Sequence, residues 1–305
     1  MKFSLQYPIE HAGYDARLLD PSNIRGFLQT AEVSGFSAVG FSEHPAPSAK
    51  WMRNGGHPTF DLTAILAFAA AHTERISLLS HLMVLPYRNP LAAAKTLATL
   101  QMLSAGRLIA GVGGGYLRSE FEALGVEHAA RADLLDEALA VVSRSWTGEP
   151  LTVRGRHFDA ADVVMSPLPA EGPPPIWIGG NSRRALRRVA RFGSGWAPVF
   201  GPGPQGAASG AIALETVDQL AEAIGELRGL VAGCGRDPLS VDVHVQLDGQ
   251  SAVDGAGRDR HLAQLAELAE VGVTWTMVKF DPSDQSALLD SLRRYGADVI
   301  AGGSR

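Results

Sequence analysis

Hydrophobic and polar positions alternate between a strand-like and a helix-like period along the whole chain, which predicts eight strand–helix units. Apolar runs with strand character span residues 3–8, 38–41, 76–84, 107–112, 176–178, 195–199, 241–247 and 274–278. Stretches with one apolar face at helical spacing follow them, at 24–34, 62–72, 91–103, 132–146, 183–191, 215–231, 259–271 and 285–295. Eight strands that are each followed by a helix predict a closed parallel (β/α)8 TIM barrel. A doubly wound open sheet has the same alternation and stays the alternative.

Two segments interrupt this alternation in the region that follows strands 3 to 5. Residues 116–125 separate the fourth strand from its helix, and residues 151–158 have the alternation and glycine turn of a β-hairpin. We expect both to be insertions on the barrel and residues 1–305 to form a single domain. The segment 201–210, rich in Gly, Pro, Ala and Ser, is expected to be a mobile loop at the active-site end.

Composition and charge exclude several classes of partner. The chain has 305 residues, of which 46% are hydrophobic, and its net charge of −5 comes with scattered basic residues. A nucleic acid or an anionic membrane is therefore not expected as a partner. The sequence has no window of ~18 apolar residues and no signal segment, so we expect a cytoplasmic protein. Cys234, the single cysteine, fits a reducing compartment and is not expected to be catalytic.

Two glycine-rich turns are candidate sites for an anionic ligand. Residues 111–116 (GVGGGY) follow the fourth strand, and Gly179-Gly180-Asn181-Ser182 ends the fifth. Asn181 or Ser182 would cap the next helix, whose free N–H groups and positive dipole end can hold a phosphate. As a dinucleotide fingerprint the first turn is weak, because an insertion precedes the helix. Tight turns and an ordinary capped helix are the alternative explanation.

Two polar pairs are candidates for acid–base chemistry or ligand contact. Glu43-His44 closes the second strand, at the end where barrel active sites lie. Ser80-His81 interrupts an apolar strand and needs either a structural partner or a ligand. A purely structural role remains open for both pairs. The other histidines show no metal-ligand spacing, and nucleophile motifs are absent, so we predict no metal and no covalent nucleophile.

Several motifs resemble those of the bacterial luciferase-like flavin and deazaflavin oxidoreductases. They run in family order up to about Gly201: LPYRNP at 85–90, LSAGRL at 103–108, GVG at 111–113, EFEALG at 120–125, WTG at 146–148, GRHF at 155–158, PPIWIGG at 174–180 and GSGW at 193–196. LPYRNP resembles the branch that uses the deazaflavin coenzyme F420. The resemblance implies a barrel with the coenzyme ring against its C-terminal mouth.

The resemblance also implies roles for individual residues. The coenzyme phosphate would lie near Gly179, Gly180, Ser182 and Arg183, the ribityl-phosphate region near Gly114, Gly115 and Ser119, and the ring near Met83 and Glu43. A non-prolyl cis peptide between Ser80 and His81 would support the ring from behind. His44 would handle the proton and Glu43 would orient it. Apart from the resemblance, His11, Trp51 and His57 stand in the loops at 9–15 and 46–59, and we expect them to line the substrate pocket because loops supply the substrate contacts of barrel enzymes. Tyr116 stands where the sugar-phosphate dehydrogenases of the family have a catalytic acid, so we do not expect that substrate; Tyr116 could itself donate or accept a proton.

These implications lead to one predicted function and two alternatives. We predict hydride transfer between C5 of coenzyme F420 and a small organic substrate. The first alternative is an FMN-dependent monooxygenase that receives reduced flavin from a partner reductase and reacts with O₂. The second is a flavin-binding protein without catalytic activity. The identity of the substrate is not predicted, and a homodimer remains open.

Overall fold

A computed structural model of the chain describes residues 1–10, 13–201, 212–255 and 257–302. Its strands are β1 (Lys2–Gln6), β2 (Ala38–Phe41), β3 (Ser77–Ser80), β4 (Met83–Val84), β5 (Leu108–Gly113), β6 (Leu151–Arg154), β7 (Asp159–Val163), β8 (Ile176–Gly179), β9 (Gly195–Ala197), β10 (Asp242–Asp248) and β11 (Trp275–Lys279). Its helices are α1 (Pro21–Val33), α2 (Ala49–Arg53), α3 (Leu62–His72), α4 (Pro90–Leu103), α5 (Arg118–Ala123), α6 (Arg131–Ser145), α7 (Arg183–Phe192), α8 (Val217–Gly233), α9 (Gln250–Val253), α10 (Arg258–Val271) and α11 (Gln285–Tyr295).

Nine of these strands form one parallel sheet that closes on itself. The order around the sheet is β3, β2, β1, β11, β10, β9, β8, β5 and β4, and β3 also pairs with β5. β3 and β4 are two halves of one barrel position, because both pair with β5 at successive registers. The predicted (β/α)8 barrel is therefore confirmed, and the open sheet is excluded by the closure.

The two predicted insertions are short elements attached to the barrel. Residues 116–125 contain the six-residue helix α5. The predicted hairpin continues to Val163 and pairs β6 with β7 in antiparallel register. Glu137 of α6 holds its turn by accepting the N–H groups of His157 at 3.0 Å and Phe158 at 3.1 Å. The segment 202–211 and His11 lie outside the described residues, so the predicted loop and this pocket residue have no structural account.

Large side chains fill the N-terminal half of the barrel interior. One cluster inside the barrel contains Ala38, Leu79, Ile109, Trp177, Trp275 and Met277. The Trp177 and Trp275 rings meet edge to face at 5.1 Å. A second and larger core packs the outward faces of the strands against the helices. Among the described residues, no helix combines the length and apolar character that crossing a membrane requires.

A two-residue bulge at His81-Leu82 occupies the C-terminal half of the interior, between β3 and β4. Glycines stand at the inward positions around it. A Cβ on Gly111 would lie 2.0 Å from the Ser80 carbonyl oxygen, and one on Gly179 would lie 2.0 Å from Leu82 Cδ1. The Ser80 hydroxyl also donates to the Gly111 carbonyl at 2.8 Å. Part of the glycine pattern is therefore needed to accommodate this bulge.

The non-prolyl cis peptide joins His81 to Leu82, so the predicted position between Ser80 and His81 is wrong by one residue. The prediction was counted back from Asn89-Pro90 on the spacing of the family motif. In this chain β3 stays in parallel register through Ser80, which lies opposite Phe41. The His81 N–H still donates to the Phe41 carbonyl, at 2.7 Å. The strand therefore leaves its regular path only after His81.

We expect Gly111→Ala to lower the free energy of unfolding by roughly 1–3 kcal/mol, the usual cost of overpacking. The added Cβ meets a backbone oxygen, which a rotamer change cannot move away. Urea denaturation measures this loss. Gly229→Ala on α8, where nothing lies within 4 Å of the added Cβ, is the control and should stabilise the protein by roughly 0.5–1 kcal/mol. An unchanged stability of Gly111→Ala would contradict the close packing of the bulge.

Candidate active site at the C-terminal mouth

His44 lies just beyond the C-terminal end of β2, where the barrel opens. Its side chain is 10% exposed, and its Nδ1 lies 3.1 Å from Oε2 of Glu120. Its Nε2 lies 3.4 Å from the hydroxyl of Tyr116. Thr59 fixes the backbone, because its hydroxyl accepts the His44 N–H and donates to the His44 carbonyl, both at 3.2 Å. The imidazole is thus held through one nitrogen and presents the other to the mouth.

Glu120, which is not among the residues singled out from the sequence, is the buried partner of His44. It lies on α5, in the insertion after β5, and its side chain is 1% exposed. Besides His44, its carboxylate accepts from the Tyr87 hydroxyl at 3.0 Å and from the Ala46 N–H at 3.2 Å. The signal available in the sequence was the place of Glu120 in the EFEALG motif, beside the apolar Phe121, which the structure buries completely. A buried charge in such a place requires partners.

Three predicted substrate-pocket residues surround His44. The ring of His44 lies 4.6 Å from that of Trp51, 5.2 Å from that of His57 and 5.8 Å from that of Tyr116. Burial lowers the pKa of His57, and Glu10 opposes this shift. Partial desolvation, followed by the carboxylates of Glu120 and Glu10, raises the pKa of Tyr116. The side of His44 that faces these three residues is therefore aromatic, and the Tyr116 hydroxyl keeps its proton at neutral pH.

Glu43 turns away from His44 and holds the bulge. Its Oε2 accepts the Val84 N–H at 2.6 Å, and both of its oxygens pair with the Arg88 guanidinium. The Glu43 side chain is 5% exposed and that of Arg88 is 27% exposed. This ion pair ties the end of β2 to β4 and to the turn that follows β4. The predicted catalytic pair is thus divided, with His44 facing the mouth and Glu43 facing the bulge.

Two histidines in edge-to-face contact, His81 and His244, lie at the floor of the mouth. The ring of His81 lies 5.4 Å from that of His244, whose Nε2 lies 2.8 Å from the buried Ser4 hydroxyl. Burial lowers the pKa of His81 to about 4, with a smaller contribution from the charge of Lys279. Burial also lowers the pKa of His244 well below its ordinary value, with His81 adding to the shift. Both imidazoles are neutral at pH 7.

The turn after β8 leads into α7, the helix start at which the sequence predicts an anion site. Ser182 is the N-cap, and its hydroxyl accepts the Ala185 N–H at 3.1 Å. Gly180 has a φ of +108°, which a residue with a side chain rarely adopts. Asn181 is not the cap: its amide binds Val199 and the Ile212 carbonyl, on either side of the segment 202–211. The side chain of Arg183 is 73% exposed and pairs with Glu226 at 3.4 Å.

The remaining predicted coenzyme contacts differ in whether their side chains are available to a ligand. Ser119 is suited to bind one, because its hydroxyl is buried and has no hydrogen-bond partner among the described residues. Gly115 has a φ of +70°, and a Cβ there would lie 2.7 Å from Val84, while a Cβ on Gly114 would make only ordinary contact with Leu135 at 3.6 Å. Met83 is fully buried in the outer core, so only its backbone is available to a ligand at the mouth. Among the described residues, no group of side chains is arranged to hold a metal ion.

The residues at the mouth fit a phosphate-bearing coenzyme. The orphaned Ser119 hydroxyl follows β5, and the capped N-terminus of α7 follows β8, the neighbouring strand in the barrel. Helix N-termini bind anions through free N–H groups and the helix dipole. The luciferase-like monooxygenase family profile matches residues 1–248. The chain belongs to this family. The match confirms the predicted family and the prediction of a luciferase-like enzyme.

Relatives of this luciferase-like chain include dehydrogenases that are named for coenzyme F420. The F420-dependent glucose-6-phosphate dehydrogenase of Beutenbergia cavernae is 27% identical over 320 residues, covering 92% of this chain and 93% of the relative. The enzyme of the same name from Microbacterium testaceum is 31% identical over 189 residues, covering 61% of this chain and 54% of the relative. An uncharacterized protein of Mycobacterium tuberculosis is 30% identical over 294 residues, covering 90% and 93%. The chain thus spans about half the length of one relative and nearly all of the other two.

Solved structures with the same fold include enzymes of two chemistries. The monooxygenase RslO1 from Streptomyces bottropensis superimposes with a TM-score of 0.78 at 20% identity, covering 99% of this chain and all of that one. An F420-dependent secondary alcohol dehydrogenase, solved with an F420-acetone adduct, gives 0.76 at 16% identity and covers 98% of each chain. At these identities the likeness shows the fold alone.

The pKa of His81 predicts an acid-sensitive fold. Its value of about 4 lies below the ~6.5 of an unfolded histidine, so between these pH values the unfolded chain binds more protons. The free energy of unfolding should therefore fall as the pH is lowered across this window. Urea denaturation at pH 7 and at pH 5 measures this decrease in the free energy of unfolding. In His81→Gln the decrease should be smaller than in the unchanged protein by on the order of 1 kcal/mol. The same pH dependence in both proteins would show that His81 is not protected from protonation.

Proposed function

We propose that the chain is an F420-dependent oxidoreductase that transfers a hydride between C5 of the deazaflavin and a small organic substrate. The observation that carries the proposal is the buried Glu120–His44 contact at the same barrel end as the capped N-terminus of α7, where we propose that an anion binds. A coenzyme with a phosphate on α7 would extend along the mouth toward His44. When bound, the deazaflavin supplies the hydride donor or acceptor.

The chain would bind the coenzyme mainly through backbone groups and hydroxyls. The first-turn N–H groups of α7 and the Ser182 hydroxyl would hold the phosphate, and Ser119 would donate to the adjoining chain. His81 and Leu82 would support the ring from below. Arg183 would contribute charge from the rim, because it is exposed and already paired with Glu226. The glycines of the two turns would allow the backbone to come close to the coenzyme and would make no specific side-chain contacts; they are Gly114, Gly115, Gly179 and Gly180.

His44 would hold and move the substrate proton at Nε2. This nitrogen faces the Tyr116 hydroxyl and the mouth, while Nδ1 is engaged by Glu120. Removal of a hydride from a carbon that bears a hydroxyl requires a base for the hydroxyl proton, and the reverse reaction requires the acid form. Trp51 and His57 would cover this side of the pocket and limit water there. Glu43 would act through the bulge, as its ion pair with Arg88 indicates.

The relatives favour F420 over FMN but leave the substrate open. The dehydrogenases aligned with this chain are named for F420, whereas the fold neighbours also include a monooxygenase. FMN with O₂ and a partner reductase is therefore the second candidate. We do not extend the glucose 6-phosphate of the relatives to this chain, because Tyr116 stands where we expect their catalytic acid. The proposal keeps a cytoplasmic location and a small-molecule substrate.

Ser182→Asp should weaken F420 binding by roughly 10–100-fold without loss of stability. Aspartate caps a helix as well as serine does, so α7 should persist, while its carboxylate would repel the phosphate. Fluorescence titration of the purified protein with F420 measures the Kd, and urea denaturation checks the fold. Ser182→Thr, which keeps a neutral capping hydroxyl, is the matched control and should bind within a few-fold of the unchanged protein.

Titration with FMN in parallel decides between the two candidates. The proposal expects a Kd for F420 at least tenfold lower than that for FMN. Tight FMN binding without F420 binding would replace the proposal by the monooxygenase. Failure to bind either coenzyme would overturn both.

A further inference from the structure

We propose that Glu120 is a positioning residue that fixes neutral His44 as its Nδ1–H tautomer and thereby presents the Nε2 lone pair to the substrate. The inference rests on the proposed function for its consequence in catalysis, since Nε2 is the atom that would handle the proton. The contacts that support it are all between residues of this chain and do not involve a coenzyme. They consist of one buried carboxylate and the three polar groups around it.

The donors around Glu120 determine which nitrogen of His44 carries the proton. An ionised carboxylate only accepts hydrogen bonds. Its Oε1 accepts the Ala46 N–H, and its Oε2 accepts the Tyr87 hydroxyl and lies 3.1 Å from Nδ1 of His44. Burial, followed by the charge of Glu120, raises the pKa of Tyr87, so its hydroxyl keeps the proton that it donates. Nδ1 therefore has to be a donor as well, which leaves Nε2 unprotonated in the neutral ring.

The charges around the ring leave this carboxylate free to act on His44. Arg88, the cation next to Tyr87 in the sequence, is paired with Glu43. His57 faces the ring from the segment before α3, and Glu10 and Lys279 act on His57 with opposite signs. Tyr116 faces Nε2 with a hydroxyl that stays protonated and can donate to it. Each of these groups is compatible with a lone pair on Nε2.

An amide cannot replace this carboxylate without a mismatch. Glutamine has one acceptor oxygen and an NH₂ group that only donates. If the oxygen faces His44 and Tyr87, the NH₂ opposes the Ala46 N–H. If the oxygen faces Ala46, the NH₂ donates to Nδ1 and drives the proton of His44 to Nε2. A methionine removes the acceptor altogether, so Glu120→Gln and Glu120→Met test the same point in two ways.

The test is the ring ¹⁵N spectrum of histidine-labelled protein without coenzyme, recorded at a pH where His44 is neutral. His44→Gln assigns the His44 signals by their disappearance. The unchanged protein should show a protonated Nδ1 and an unprotonated Nε2. At least one of the two Glu120 variants should show the proton at Nε2 in half or more of the molecules. Tyr87→Phe removes one hydrogen bond from the same carboxylate and keeps its charge, so its His44 tautomer should be unchanged.

Two results would overturn the inference: an Nε2–H tautomer in the unchanged protein, or an Nδ1–H tautomer retained in both Glu120 variants. The spectrum is independent of the proposed function, because no coenzyme or substrate is present. F420 titration of the folded Glu120→Gln protein separates the tautomer inference further from the proposed function. Because Glu120 lies outside the proposed anion site, the Kd should change less than about threefold. Absence of F420 binding in the unchanged protein would remove the proposed function and leave the tautomer assignment standing.

Discussion

The close approach of the His81-Leu82 bulge to glycines on the neighbouring strands is the constraint on which the mouth of this barrel depends. A Cβ on Gly111 would collide with the Ser80 carbonyl, one on Gly179 would collide with Leu82, and one on Gly113 would lie 3.2 Å from Leu82. Leu82 and His81 therefore close the barrel interior from above, while Trp177 and Trp275 fill it below. A shallow floor of neutral imidazole and aliphatic surface results, on which a flat ring system could rest.

The polar groups of the site are connected to this bulge by hydrogen bonds and one ion pair. Phe41 accepts the His81 N–H, and two residues later Glu43 binds Val84 and Arg88 on the far side of the bulge. His44 comes next in the chain and receives its orientation from Glu120 on α5. Residues that follow β2, β4 and β5 thus meet around the His44 imidazole. A displacement of the bulge would shift this imidazole through β2.

The sequence allowed the barrel to be predicted because each strand and each helix has its own local period, and the parallel order follows from their alternation. The hairpin and the α7 cap were also predictable, since turn and capping residues act within a few positions. Glu120 was missed because its partner His44 is 76 residues away and no local pattern joins them. The glycines were first interpreted as ligand contacts, although Gly111 and Gly179 are required by packing against residues of another strand. Long-range contacts of this kind depend on tertiary structure.

We infer that the C-terminal mouth is a coenzyme site organised by the bulge. A crystal structure of the protein with F420 tests it most directly. We expect the phosphate on the first turn of α7 beside Ser182, and the deazaflavin ring over His81-Leu82 with His44 at its edge. A coenzyme bound at any other face of the barrel, or a ring that does not touch the bulge, would contradict it.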